Sequence, residues 1–276
     1  MAEGRGAVVS VAGLALLVAL SAVGAPLAGA RPAHEIPVAT ATGNLSGPTA
    51  EGWSDVPSST VPLTSAPSSV PNANDTTVER LHVQAARGDG RLYLRLRWRD
   101  ATRDTAADGP RTFSDSVAVQ FPVDTASRPP IAMGAPDNRA NVWYWDGAAG
   151  GQELLAGGAG STTAFPNASV STAAVHRGSG ANATWTVVYE REVGVTDTNR
   201  TTVPDDRNLD VAFAVWNGSN GERAGQKAVS EWHYFPFGGG PPGPPYEVLL
   251  WAVAGIAVVV VLSVTAYGVR HSGGPD

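Results

Sequence analysis

Two residues stand alone in this 276-residue chain. Apart from the initiator, Met133 is the single methionine, and Lys227 is the single lysine beside eighteen arginines. A thioether is a soft metal donor. A lysine amine also donates a lone pair once burial or a nearby cation removes its proton, whereas a guanidinium keeps its proton and donates none. A generic surface cation at position 227 should be arginine, as every other cationic side chain here is. A lone methionine more often fills a core gap, and a lone lysine more often sits in solvent. Both residues nonetheless fall in loops: Met133 in PPIAMGAP, and Lys227 in NGSNGERAGQKAV.

Brought to opposite faces of a haem iron, a thioether and a neutral amine make a six-coordinate, low-spin centre with no open position. Such a centre transfers electrons and does not bind oxygen, and the soft sulfur raises its potential. The competing donors are weaker candidates. His82 lies between Leu81 and Val83 in a strand pattern, His176 near a glycine-rich turn and His233 beside Trp232; no pair has metal-ligand spacing. Cysteine is absent. That excludes disulfides, thiolate zinc sites, iron–sulfur clusters held by this chain and covalent c-type haem. There is no GxSxG or HExxH motif and no carboxylate pair in a recognisable setting, so a hydrolase finds little support. The net charge of −6 and the lack of a basic patch argue against nucleic acid.

The elements that must position these residues read as strands. In RLYLRLRWRD, Leu92, Leu94, Leu96 and Trp98 face one way, while Tyr93, Arg95, Arg97 and Arg99 face the other. DSVAVQFPV, NVWYWDG, ATWTVVYERE and DVAFAVWNG alternate similarly, separated by GDG, GAAGG, GSGAN and NGSNG. Many short strands with such turns predict an all-β fold, an antiparallel two-sheet β-sandwich. Trp143, Tyr144 and Trp145 alternate between core and site, with Trp143 and Trp145 taken as cofactor-binding. Arg139 and Arg223, close in sequence to the two donors, are candidates to pair with the carboxylates of a bound haem.

The ends carry apolar runs. Residues 7 to 25 follow Arg5 and precede Ala28-Gly29-Ala30, which reads as a signal peptide over 1–30, with an uncleaved anchor as the alternative. Residues 31–75, rich in Pro, Ser and Thr, read as an extended arm, ordered against a partner. The sandwich is expected over 76–237 and a Gly/Pro linker over 238–247. A C-terminal transmembrane helix is expected over 248–268, with a cytoplasmic tail over 269–276 that carries Arg270 on the inside. Localisation at the membrane, with the main domain extracytoplasmic, follows from that order. Six Asn-x-Ser/Thr sequons suit an exported, glycosylated surface. The preference for Arg, Asp, Ala and Gly suggests a high-GC, salt-loving source.

With PPIAMGAP followed by NVWYWDG, and FAVWNGSNGERAGQKAVSEWHYF, residues 75 to 237 resemble the haem b (gamma) subunit of type II dimethyl sulfoxide reductase family molybdoenzymes, which include ethylbenzene dehydrogenase. The resemblance implies that Met133 and Lys227 are the axial ligands of a non-covalent haem b. It implies an electron-transfer subunit without catalysis of its own, partnered by a molybdopterin catalytic subunit and an iron–sulfur subunit. Electrons would pass to or from a membrane cytochrome b or a small exported redox carrier. For a haloarchaeal source the expected complex is a respiratory nitrate reductase, with chlorate, selenate, dimethyl sulfide and hydrocarbon enzymes as alternatives. Those relatives are soluble periplasmic subunits, so the C-terminal anchor is a departure. The competing function is a surface-anchored carbohydrate-binding sandwich, which needs no haem and gives Lys227 no special role.

Overall fold

The computed structural model describes residues 34 to 238, together with Ala254, Gly255, Val258, Thr265 and Tyr267, which are helical. The signal segment, the tail, nearly all of the linker and the rest of the run at 248–268 lie outside the described residues. Among the described residues no helix is long and apolar enough to cross a membrane.

Residues 34 to 238 hold fourteen strands: β1 (Val38–Thr40), β2 (Ser58–Pro62), β3 (Thr64–Ser65), β4 (Arg80–Gly88), β5 (Arg91–Arg99), β6 (Ser116–Pro122), β7 (Ala140–Asp146), β8 (Gly150–Ala156), β9 (Thr162–Ala164), β10 (Val170–Arg177), β11 (Thr184–Glu192), β12 (Asn208–Trp216), β13 (Ala228–Val229) and β14 (His233–Pro236). One sheet has six strands in the order β1-β4-β5-β11-β10, with β2 also on β4. The other has eight in the order β3-β13-β12-β6-β7-β8-β9, with β14 also on β12. Apart from the parallel pair β1 and β4, the ladders are antiparallel. The expected sandwich is therefore the observed one.

Period-two alternation explains the core. Leu92, Leu94, Leu96 and Trp98 of β5 turn inward with Val187 and Tyr189 of β11. They meet Val117, Val119 and Phe121 of β6, Trp143 and Trp145 of β7, and Val211, Phe213 and Val215 of β12. The Tyr189 hydroxyl crosses the gap to donate to the carbonyl of Val117 at 2.7 Å. Between β4 and β5 the turn is Asp89-Gly90, both at positive φ (51° and 70°), the two-residue geometry whose twist matches a hairpin.

Residues 34–75, expected as an extended arm, fold onto the domain as β1, β2 and β3. Ala86, Tyr93 and Val188 are apolar on the outer face of the six-stranded sheet and need cover. Leu45, Trp53 and Val56 supply it, and Gln84 Nε2 pins that segment by donating to the carbonyls of Trp53 (2.8 Å) and Val56 (2.7 Å).

Candidate cofactor site

β6 is buried at every position, although alternation should leave half of it wet. The outer face of the eight-stranded sheet carries its own apolar layer: Ala118, Ala140, Val142 and Ala156, with Met133, Tyr144, Leu154, Ala214 and Trp216 packed against them. Above it lies a cavity of about 630 Å³, within the roughly 300–1,000 Å³ of cofactor-sized pockets. The register makes its floor. Ala118 pairs with Ala214 on one side and Tyr144 on the other, and Ala212 pairs with Gln120. Short side chains on two adjacent strands leave room that larger residues would fill.

Two loops overhang the floor. The β6–β7 loop brings Met133 over the β7 and β8 side. Met133 has φ 69° and Gly134 has φ 77°, an uncommon conformation for a residue with a side chain. It is held by hydrogen bonds from Gly134 N to Pro130 O and from Gly158 N to Met133 O, each 2.9 Å. A Cβ on Gly134 would meet Asn138 O at 2.9 Å and Ala140 N at 3.0 Å, so only glycine fits.

The other loop joins β12 to β13 and presents Lys227 from the opposite side. Glu222, buried in this turn, accepts from Thr77 N (3.0 Å), Asn217 N (3.1 Å) and Asn220 Nδ2 (3.2 Å). Gln226 Nε2 donates to Asp75 O at 2.9 Å, and Ala66 N to Lys227 O at 2.9 Å. The segment leading into β4 thus straps the lysine turn in place, and Ser68 and Val70 within it line the cavity.

Lys227 Nζ lies 3.5 Å from Met133 Sδ and 5.0 Å from the centre of the Trp216 ring. No carboxylate pairs with it among the described residues. Burial pushes its ammonium down to about 8. The shift makes the proton easier to lose than from an ordinary lysine, which is the direction metal donation requires.

At the far end of the cavity the wall turns polar. Ser114 Oγ and the Tyr144 hydroxyl donate to Asp146 Oδ2 at 2.8 and 3.1 Å. Despite burial, these donors and the N–H groups of Ala148 and Ala149 hold the Asp146 carboxyl below its ordinary value, while burial raises that of the Tyr144 phenol. Arg223 lies at the exposed rim, its guanidinium 4.6 Å from the centre of the Phe113 ring.

Three expected contacts are not among the cavity residues. Trp143 and Trp145 sit in the inter-sheet core, because odd positions of β7 point inward and Val142 and Tyr144 face the cavity. Arg139 immediately precedes β7, where its backbone carbonyl accepts from Val123 N. Of the alternating Trp143, Tyr144 and Trp145 it is Tyr144 that forms a wall, and neither the alanine floor nor the strap at 66–77 is apparent from the sequence. Ala118 on β6 and the alternating Ala212 and Ala214 on β12 were the available signal.

The donor set fits a haem. Sulfur and nitrogen approach from opposite sides above an apolar floor.

The family model for ethylbenzene dehydrogenase matches residues 50–167 and 158–228, which span both donor loops. A protein of Haloferax mediterranei, named as a candidate respiratory nitrate reductase heme subunit ORF7, is 49% identical over 274 residues, 99% of this chain and 98% of its own. The chlorate reductase subunit gamma of Ideonella dechloratans is 34% identical, covering 83% of this chain and 96% of its own. The dimethylsulfide dehydrogenase subunit gamma of Rhodovulum sulfidophilum is 32% identical, covering 64% and 69%. The chain belongs to the ethylbenzene dehydrogenase family.

Proposed function

We propose that this chain is the haem-binding gamma subunit of a respiratory molybdoenzyme complex and passes electrons without catalysing the complex's reaction itself. The names of its relatives as heme and gamma subunits support this. The observation that carries it is the contact between the solitary lysine and the solitary methionine over an apolar cavity.

In this reading Met133 and Lys227 are the axial ligands of a non-covalent haem b. The haem supplies a reversible one-electron change at iron. Lys227 gives up its proton to donate, helped by burial. Met133 supplies the soft donor that favours the reduced state. Ala118, Ala212 and Ala214 keep the floor flat, Val142 and Leu154 exclude water, and Arg223 at the rim pairs with a haem carboxylate.

The complex is an exported respiratory nitrate reductase or a close relative, as the 49% identity to the Haloferax protein favours. Its other members are a molybdopterin catalytic subunit and an iron–sulfur subunit, with a membrane cytochrome b or a small exported carrier as the further electron partner. The domain stands outside the membrane on one C-terminal helix, which the Gly/Pro linker, the apolar run and Arg270 support.

Purified full chain supplied with haem is expected to bind one equivalent that acid-acetone extracts, with a sharp low-spin α band on reduction. A folded chain that stays colourless in excess haem ends this reading. Protease added to intact cells should remove the domain and leave a small membrane fragment. Protection until lysis would reverse the topology.

A further inference from the structure

Arg191 is 1% exposed, the one arginine counted as buried among the described residues. It lies on the inward face of β11, opposite Leu92 of β5 and Val170 of β10, so its guanidinium is enclosed between the sheets. Its Nε, Nη1 and Nη2 have no hydrogen-bond partner in the protein. Its neighbour is Trp143, whose ring centre lies 5.4 Å from the guanidinium carbon. The indole Nε1 of Trp143, itself on a residue with no exposure, is also without a partner.

Stacking on an indole face does not satisfy a guanidinium, because its five N–H bonds lie in its own plane and point past the ring. The acids whose charge reaches Arg191 are Glu153 and Asp197. Both are engaged elsewhere. Glu153 accepts from Asn141 Nδ2 (3.1 Å), Ser169 N (2.7 Å) and Arg200 Nε (3.0 Å), while Asp197 accepts from Arg200 Nη1 (2.7 Å) and Asn199 N (2.9 Å). Arg200 therefore takes the acids that could have neutralised Arg191.

The unpartnered groups of Arg191 and Trp143 are all donors and one of them carries a positive charge, which selects for an acceptor of negative charge. Water accepts two hydrogen bonds but must also place two of its own hydrogens, and neither the Arg191 guanidinium nor the Trp143 indole N–H can accept one. A carboxylate-bearing molecule has no route past side chains as closed as Leu92, Trp143 and Tyr189, each at 0% exposure. A monatomic anion accepts from every direction and cancels the charge where low dielectric makes that most favourable. We propose that Arg191 and the Trp143 indole N–H bind a buried halide ion, of chloride size, between the two sheets. The site is separate from the cofactor cavity, which lies on the other face of β7.

Two measurements on the purified full chain test this. Crystals grown in sodium bromide should show one anomalous bromide peak within hydrogen-bond reach of Arg191. A guanidinium bonded instead to water or to a protein oxygen overturns the proposal. Thermal unfolding in halide-free sodium gluconate should shift upward on exchange into chloride or bromide at equal ionic strength, by a constant increment for each tenfold rise in halide. Arg191→Met should show equal midpoints in the two salts. Equal midpoints in the unaltered chain, or a halide shift that persists in Arg191→Met, overturn it. If Arg191→Met does not fold, the bromide map decides alone.

Discussion

Lys227 Nζ lies 3.5 Å from Met133 Sδ although 94 positions separate the two residues in the chain. Apart from the initiator methionine, each is the only one of its kind in the sequence, and each arrives on a different loop over the same alanine floor. A buried ammonium gains little from a thioether, which is only a weak acceptor. The contact is consistent with the proposed role of both residues as donors to one metal.

Charge and donation can be separated at position 227. Lys227→Arg keeps the positive charge, and arginine serves everywhere else in this chain. If the residue acts as a neutral amine, the arginine variant should lose low-spin character or lose haem altogether. Met133→Leu, which keeps the volume and removes the sulfur, should lower the reduction potential. A Lys227→Arg protein with unchanged absorbance, potential and haem content would reduce the lysine to an accident of composition.

The amine also predicts a pH dependence. Burial lowers the folded value from 10.5 to about 8. The haem-free fold therefore binds fewer protons at this site than the unfolded chain between those values. Its Lys227 contribution to stability is fully present above 10.5 and is lost as pH falls to about 8. Haem binding releases a proton below about 8, so haem affinity should fall by up to roughly tenfold per unit of further acidification. Lys227→Met should flatten both dependences. Haem titrations from pH 6 to 9 on the two proteins read the difference directly.

The sandwich was legible in the sequence because alternation is local. Leu92, Leu94, Leu96 and Trp98 announce one face of β5 whatever surrounds them, and Asp89-Gly90 announces its hairpin. Met133 and Lys227 stand out for a different reason, their rarity in an arginine-biased chain, and the fold brings them into contact. What stayed hidden depends on neighbours across sheets. Trp143 and Tyr144 are adjacent and both aromatic, and only register against β6 and β8 tells which of them meets the cavity. Ala118 and Ala214 are unremarkable until pairing sets them side by side. Residues 34–75 look like a tether because their apolar residues are sparse, yet Trp53 and Leu45 suffice to cover a patch made by three distant strands.

Gly134 should be as demanding as its neighbour is distinctive. Alanine there must adopt φ 77° and also bring its Cβ to 2.9 Å from Asn138 O and 3.0 Å from Ala140 N. Gly150→Ala is the matched control, since φ is 80° and nothing lies within 4 Å. The control should cost about 1 kcal/mol and leave haem binding intact. Gly134→Ala should cost about 2–3 kcal/mol and displace Met133, lowering haem affinity as well as the unfolding midpoint. Equal midpoints for the two variants would show that the β6–β7 loop tolerates the shift.

The floor provides a test that spares both donors. Ala118 and Ala214 face each other across β6 and β12 on the cavity side of the sheet. Leucine at either position projects into open volume and not into the inter-sheet core, so the haem-free protein should keep its unfolding midpoint or gain slightly from the added apolar contact. The same side chains would occupy space that a planar cofactor needs. Ala118→Leu and Ala214→Leu should therefore each lower haem affinity by tenfold or more while Met133 and Lys227 stay unaltered, and the double substitution should abolish binding. Haem stoichiometry measured beside the haem-free unfolding midpoint distinguishes exclusion from misfolding. Full haem content in the double variant would mean that the cofactor sits elsewhere, whatever the lysine and methionine do.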